Sequence, residues 1–573
     1  MSSPPTSPPA AKRQRLESTL EGNIAPSSPS TSTQVNGHTN GSSSSAPIAT
    51  SAPSLPVASS SNLKEESDDE EEEEEEVGIK NEEDDGSHRD MYLDTISRQN
   101  LDFDFERLCS KSLSNINVYA CLVCGKYFQG RGRGSWAYRH AVGENHRVWL
   151  NLSTEKFYVL PEGYLVSDPS LNDIIQVLNP RYDNKDIEKL SNGLTKLSYT
   201  LNNQSYRPGY IGINNIKSND YLNVIIQLLL HIPPIRNFFL LELESDLTKK
   251  ENKSTELVKR LSTLTKRLWN NNLFKSQISP HDFLQEVNKR SNGKFKTTEQ
   301  GDPVEFLSWL INTLHKDLGG NKKSNSSIIY KSFQGKVQIQ TQQVIIHKEY
   351  SRPVFDIGRD TQTISSPFLF LALDLPPTPL FTDVNEKKII PQVPLSTILA
   401  KFDGKTTQEF GPTLKRHHLT RLPPYLILHI KRFTKNNFVS ERNPTIVNFP
   451  LKGVDVSDYV DPKPTDPMYT QYDLLSNVTL DTTKSSTETS GLGPGITAKK
   501  KKQSNGSDEN SLNWKIHIKA GKSNNNHSNS NFDEEQQGEK WYEMQDLRVE
   551  NVTPEIVFLG ETVIQVWERR DLS

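Results

Sequence analysis

Two cysteines stand two residues apart, Cys121-Leu-Val-Cys124, and two histidines follow at His140 and His146. A tight turn that presents two thiolates, closed by two imidazoles, is a tetrahedral donor set of the kind that holds zinc, an ion with no geometric demand beyond four good donors. A structural ion contributes on the order of 10 kcal/mol to folding a small segment that has few large core residues. The bland alternative is a reduced, buried cysteine pair beside two unrelated surface histidines. Four ligands in compatible order favour zinc, as one structural ion. Cys109 can replace a histidine in this set or serve as a small core residue, and the second is expected. The three cysteines of the chain are Cys109, Cys121 and Cys124. None follows Cys124, so no thiol chemistry is available to the long remainder.

The elements that position these groups begin after a polar arm. Residues 1–89 are rich in Ser, Pro, Thr and Asn and then nearly all carboxylate over 65–76. With few apolar groups to bury and dense like charge, this arm is expected to be disordered. Lys12, Arg13 and Arg15 beside prolines read as a nuclear import signal, with a chance basic patch as the alternative. The chain has 573 residues and a net charge of −4, enough for two or three domains and no sign of a dedicated nucleic-acid binder. No run approaches eighteen consecutive apolar residues, which argues against a membrane span. The first residues lack a hydrophobic signal core, and the cysteine usage suits a reducing compartment.

Folded composition starts near Met91. A compact segment extends to about 200, followed by a polar linker around Asn202 and Arg207, and the rest alternates helical and strand patterns. Asp302-Pro303-Val304-Glu305 is a capping box with proline at the first helical position, and Phe306, Leu307, Leu310, Ile311 and Leu314 behind it share one helical face. Strands are expected over 368–375, 425–433, 514–519 and 562–567. Low-complexity insertions near 482–511, with lysines over 499–502, and near 521–539 read as surface loops. The lysines can touch RNA or form a second import signal; a solvated loop is the plainer reading.

Tyr119-Ala-Cys121-Leu-Val-Cys124-Gly-Lys-Tyr-Phe-Gln-Gly130-Arg131-Gly, with His140, His146 and Phe157-Tyr158-Val-Leu-Pro161, resembles the zinc finger of ubiquitin-specific proteases. In that family the finger can bind the free carboxyl terminus of ubiquitin through an arginine near the position of Arg131. Many such fingers hold two or three zinc ions. The spare ligands are absent here, which weighs against tail binding.

Further on, Gly212-Ile-Asn-Asn215-Ile-Lys-Ser218-Asn219-Asp220-Tyr221-Leu-Asn223 resembles the cysteine box of the same proteases. The resemblance puts Asp220 at the nucleophile and Ser218 at the asparagine that helps hold the oxyanion. Gln300-Gly-Asp302-Pro-Val-Glu305-Phe306-Leu307 and Leu422-Pro-Pro-Tyr425-Leu-Ile-Leu-His429-Ile-Lys-Arg432-Phe433 match further signatures. In the histidine box, Leu512-Asn513-Trp514-Lys-Ile-His517-Ile places Asn513 at the catalytic histidine. In the last box, Trp541-Tyr542-Glu-Met544-Gln545-Asp546 places Gln545 at the orienting acid. Isopeptide hydrolysis needs a thiolate, an imidazole to take its proton and an acid to orient that imidazole. An aspartate is a poor nucleophile toward an amide and leaves a base nothing to activate. No base is identified near Ser218, and His417, His418, His429 and His517 read as ordinary strand or loop residues.

The resemblance implies an α+β chain: a zinc finger domain over 90–200, then a papain-like thumb, palm and fingers domain over 206–573 with no catalytic residues. Tyr92-Leu-Asp94-Thr-Ile96, Asn219-Asp220-Tyr221 and Pro233-Pro-Ile-Arg-Asn237-Phe are similar to the branch of the family associated with the spliceosomal tri-snRNP. That branch implies a nuclear, non-catalytic splicing scaffold whose partners are tri-snRNP proteins, with RNA contacted mainly indirectly. A ubiquitin reader and a residual deubiquitinase are the alternatives.

Overall fold

The computed structural model describes residues 91–572 other than 105, 192–196, 248–254, 348–353, 378–389, 436–439, 482–512 and 522–539. The arm, its basic cluster and almost all of both insertions lie outside the described residues.

The zinc finger domain is a five-stranded antiparallel sheet in the order Tyr127–Gln129, Val118–Cys121, Val148–Asn151, Phe157–Val159, Tyr164–Val166. Strand periodicity separates its two faces. Val118, Ala120 and Leu150 pack with Leu171, Ile174 and Leu178 on one side. Tyr119, Cys121 and Trp149 pack with Phe128 and the helix residues Ala137 and Ala141 on the other.

The thumb is helical. Its centre is Asp220–Leu230, buried along all 11 residues, and its second signature helix is Pro303–Asp317. Asp302 caps that helix by accepting from the Val304 amide, and Phe306, Leu307, Leu310, Ile311 and Leu314 are buried as expected. Glu305, expected to complete the capping box, pairs with Lys294 at 3.0 Å. No single helix among the described residues is long and apolar enough to cross a membrane.

The palm is an eight-stranded sheet. It runs Leu371–Asp374, Tyr425–Lys431, Glu561–Arg569, Gln471–Asp481, Asn513–Lys519, Trp541–Gln545, Arg548–Val552, with Val454–Asp455 attached to Gln471–Asp481. Trp514, Ile516 and Ile518 face the thumb helices, while Leu426, Leu428, Trp541 and Trp567 line a second core behind the sheet. The fingers are a four-stranded sheet ordered Val354–Phe368, Gly335–His347, Thr413–Arg421, Gln408–Phe410. The strand expected over 368–375 is therefore two: one ends at Phe368 in the fingers and the next, Leu371–Asp374, belongs to the palm.

The expected linker is also structured. Ser198–Tyr199 pairs with Ser205–Tyr206 as a hairpin. Tyr206 is buried, and its hydroxyl accepts from the Leu273 amide at 2.8 Å. The polar residues Asn202 and Asn203 mark the turn, and the flanking aromatic is anchored to the thumb. The zinc finger domain docks on the thumb as well. Asp104 meets Arg267 at 3.2 Å and accepts from the Ser279 amide at 3.0 Å, Lys275 reaches Asp102 at 2.7 Å, and Phe274 enters the finger's core.

Candidate functional site

Cys121 ends a central strand, and the chain doubles back at once: the Gly125 amide donates to the Cys121 carbonyl and the Cys121 amide to the Lys126 carbonyl, each at 2.9 Å. Gly125 has φ +75°, and a Cβ there would lie 2.1 Å from the Asn100 carbonyl oxygen, so only glycine fits this turn. His140 projects from the helix Trp136–Glu144, which Ser135 caps. His146 follows the left-handed Asn145 that ends the helix. Phe128 stacks on the His140 ring at 4.5 Å, and the Trp149 indole donates to the His146 carbonyl at 2.9 Å.

These elements bring the four expected ligands together, with all donor atoms within 4.8 Å of one another. Cys121 Sγ lies 3.5 Å from His146 Nδ1, Cys124 Sγ 3.4 Å from His140 Nε2, and the two ring nitrogens are 2.9 Å apart. Donors 2.0–2.3 Å from a central ion are spaced about 3.3–3.8 Å along the edges of a tetrahedron; both sulfur–nitrogen spacings lie in that range, and the two ring nitrogens need only move slightly apart to admit an ion. The hydrogen bond from the Cys121 thiol is the largest influence holding Cys124 well down, to about 4. Cys109 is fully buried, outside the cluster, with its sulfur accepting from the Ser112 amide.

The second site lies where thumb meets palm. Asp220, 6% exposed, opens the central thumb helix. Its Oδ2 accepts from the Trp514 amide at 3.0 Å and from Gln300 Nε2 at 3.2 Å, while Oδ1 is buried without a protein partner. Burial raises its carboxyl pKa, partly offset by these two donors. Asn513, one residue before Trp514, starts its strand opposite Asp481. Gln545 ends the neighbouring strand opposite Arg548. Both are half-buried, and neither side chain joins the Asp220 network.

Residues singled out less strongly by the sequence do the joining. Asn219 Oδ1 accepts from the Ile216 amide, and its Nδ2 donates to Asn223 Oδ1 at 3.0 Å. Asn223 and Asn215 donate to the two carboxylate oxygens of Asp546 at 2.8 and 2.9 Å, and the Ile213 amide donates to the Asp546 carbonyl. Asp546 sits at φ +51° in the turn between two palm strands. Asp and Asn adopt that conformation in turns more readily than most residues do. Ser218 donates its amide to the Thr297 carbonyl and contributes no base-linked hydroxyl.

His429 is half-buried and held down to about 4 by desolvation. His517 pairs with Glu543 at 2.9 Å on the palm face turned away from the thumb. Neither approaches Asp220 through a hydrogen bond.

A small Cys/His-centred finger docked on a thumb, palm and fingers domain defines a zinc-finger protein of hydrolase fold. Two family models match: a zinc finger of ubiquitin-hydrolases and other proteins over 109–171, and the ubiquitin carboxyl-terminal hydrolase domain over 211–567. The chain belongs to the ubiquitin carboxyl-terminal hydrolase family. It is 44% identical to the probable mRNA-splicing protein ubp10 of Schizosaccharomyces pombe, over 84% of this chain and 88% of that one. It is 43% identical to ubiquitin carboxyl-terminal hydrolase 39 of Homo sapiens, over 86% and 82%. Among solved structures, the crystal structure of an essential yeast splicing factor matches with a TM-score of 0.60 and 30% identity, covering 83% of this chain and 99% of that one.

Proposed function

We propose that the chain is a nuclear, non-catalytic pre-mRNA splicing factor that scaffolds the assembly or maintenance of the spliceosomal tri-snRNP, with its hydrolase-like domain serving protein contacts. One observation carries the non-catalytic part. In this reading Asp220 takes the position of the nucleophile, and its Oδ2 accepts from the Trp514 amide and Gln300. Asn513 and Gln545 stand at the base and acid positions, and no cysteine follows Cys124. A thiolate mechanism has no nucleophile, base or orienting acid to work with. The splicing role rests on likeness to a fission-yeast protein and a yeast structure described as splicing factors. Cys121, Cys124, His140 and His146 hold one structural zinc in this reading, and the domains span 90–200 and 206–573.

The test is to purify the tagged protein from nuclear extract and sequence the small RNAs that accompany it. Enrichment of the tri-snRNP small nuclear RNAs is expected. Ubiquitin conjugates without those RNAs would overturn the reading. The reader alternative draws on Arg131, whose guanidinium lies over the Tyr158 ring at 4.7 Å on an exposed loop. Titration of ubiquitin against the full chain and its Arg131→Ala variant separates the two: saturable binding lost in the variant favours the reader.

A further inference from the structure

The zinc finger's charge is distributed unevenly. Lys126, Arg131, Arg133, Arg139 and Arg147 face a single acid, Glu144, between positions 126 and 147, in a chain whose net charge is −4. Of the seven arginines of this domain, three are paired with carboxylates, Arg98 with Asp173, Arg147 with Glu162 and Arg181 with Glu155, and a fourth, Arg107, donates to the Leu152 carbonyl. Arg131, Arg133 and Arg139 are exposed and have no carboxylate partner among the described residues. All three lie within nine residues of one another, on the loop that enters the helix Trp136–Glu144 and on that helix's first turn.

Aromatic rings are interleaved with these charges. Arg139 lies over Trp136 at 5.4 Å and Arg131 over Tyr158 at 4.7 Å, which orients both guanidinium planes. Trp136 remains 39% exposed, more open than the other tryptophans of the chain. Between the arginines, Gly132 and Gly134 have open space where a Cβ would be, so a backbone-sized ligand can approach closely. Unpaired guanidinium groups beside an exposed indole and an uncluttered glycine loop suit a polyanion carrying flat bases: phosphates on the arginines, a base stacked on Trp136.

We propose that residues 130–139 of the zinc finger form a contact for single-stranded RNA, with Arg131, Arg133 and Arg139 on phosphates and Trp136 under a base. The contact stands on the finger's surface alone and is independent of the splicing assignment.

The test measures fluorescence anisotropy of a labelled 12-nucleotide oligouridylate with the full-length zinc-loaded protein at several salt concentrations. Three phosphate contacts predict a log–log salt slope of about −2. Trp136→Ala is expected to weaken binding about tenfold, and Arg133→Gln/Arg139→Gln to reduce the slope by about 1.4, with zinc content unchanged in both. Lys322→Gln/Lys405→Gln, which removes equal charge from the hydrolase-like domain, is expected to leave binding as it was. No binding, or equal losses from both double variants, overturns the proposal. Displacement of the oligonucleotide by a ubiquitin carboxyl-terminal peptide, with binding unaffected by Trp136→Ala, overturns it in favour of a peptide site.

Discussion

The carboxylate of Asp220 accepts the backbone amide of Trp514 at 3.0 Å, tying the first residue of the central thumb helix to the palm strand beside it. These residues are 294 positions apart in sequence. On the proposed reading, the residue at the place of a nucleophile serves as a cross-link between thumb and palm.

Removing that acceptor leaves a buried amide without its partner, which costs about 1–3 kcal/mol. Asp220→Ala is therefore expected to lower the chemical-denaturation midpoint by that equivalent, whereas Asp220→Asn, which retains an acceptor oxygen, is expected to stay within about 1 kcal/mol. The two variants also differ in pH dependence. Burial raises the Asp220 carboxyl above its ordinary 3.8, so the folded state holds the proton more tightly than the unfolded chain. Its contribution to stability is complete below 3.8 and is lost as pH climbs through the raised value. Asp220→Asn should abolish this loss. An unchanged profile in melts across that window would contradict the assignment.

Glu543 has the opposite sign. A hydrogen bond from His517, then Lys515 3.3 Å away, holds its carboxyl down to about 2 from 4.5. Its stabilisation is present above 4.5 and disappears as pH falls toward 2, on the order of 2–3 kcal/mol in total. Glu543→Gln should flatten acid unfolding between those values. A variant that unfolds along the wild-type acid curve counts against the pair.

Local chemistry was legible in the sequence, and long-range chemistry less so. Cys121 and Cys124 share one turn, His140 lies on the next helix and His146 just past its end, so spacing alone anticipates the cluster. Asp302 and Pro303 announce the helix Pro303–Asp317 because capping is a property of neighbouring residues. The hairpin at Ser198–Tyr199 and Ser205–Tyr206 was read as a linker because the burial of Tyr206 depends on Leu273, far along the chain. The joining of Asn223 to Asp546 spans 323 positions, and no periodicity reports it. The Arg131, Arg133, Trp136 and Arg139 edge is local in sequence. Its lack of carboxylate partners appears only in the structure, where Arg98, Arg147 and Arg181 are seen to be paired.

The docking of the zinc finger on the thumb rests heavily on Asp104 and Arg267. Arg267 is only 8% exposed, and truncating it leaves the half-buried Asp104 carboxylate without its cation, a change worth about 3–5 kcal/mol for a fully buried pair and less for one partly solvated. Arg267→Ala is expected to speed amide exchange in 101–108 and at the Ser279 amide while exchange in the strand Asn513–Lys519 stays protected. Uniform acceleration across both domains would mean global destabilisation instead of undocking.

Zinc should be inseparable from the fold of residues 109–171. Elemental analysis of the purified chain is expected to give one zinc per molecule, and His146→Ala or Cys124→Ser to lose it. Because structural zinc contributes on the order of 10 kcal/mol to such segments, chelation should unfold the finger and leave the palm's tryptophan core intact. Two or more zinc ions per chain would refute the four-ligand assignment.

Restoring a thiol tests the chemistry most directly. Asp220→Cys places a nucleophile at the head of the thumb helix, where the helix dipole favours a thiolate. Yet Asn513 has no basic nitrogen to take a proton or return it to the leaving amine, and Gln545 carries no charge to orient or stabilise an imidazolium. The substitution also removes the acceptor that binds the Trp514 amide, so thumb and palm lose one hydrogen bond between them. General-base catalysis contributes typically 10²–10⁴-fold, and its absence is expected to leave turnover of a fluorogenic ubiquitin carboxyl-terminal substrate at the level of buffer. Turnover by Asp220→Cys alone would show that the cleft still admits the ubiquitin tail and aligns it for attack. Turnover by the unaltered chain, abolished in Asp220→Ala, would make Asp220 itself a catalytic group and end the scaffold reading.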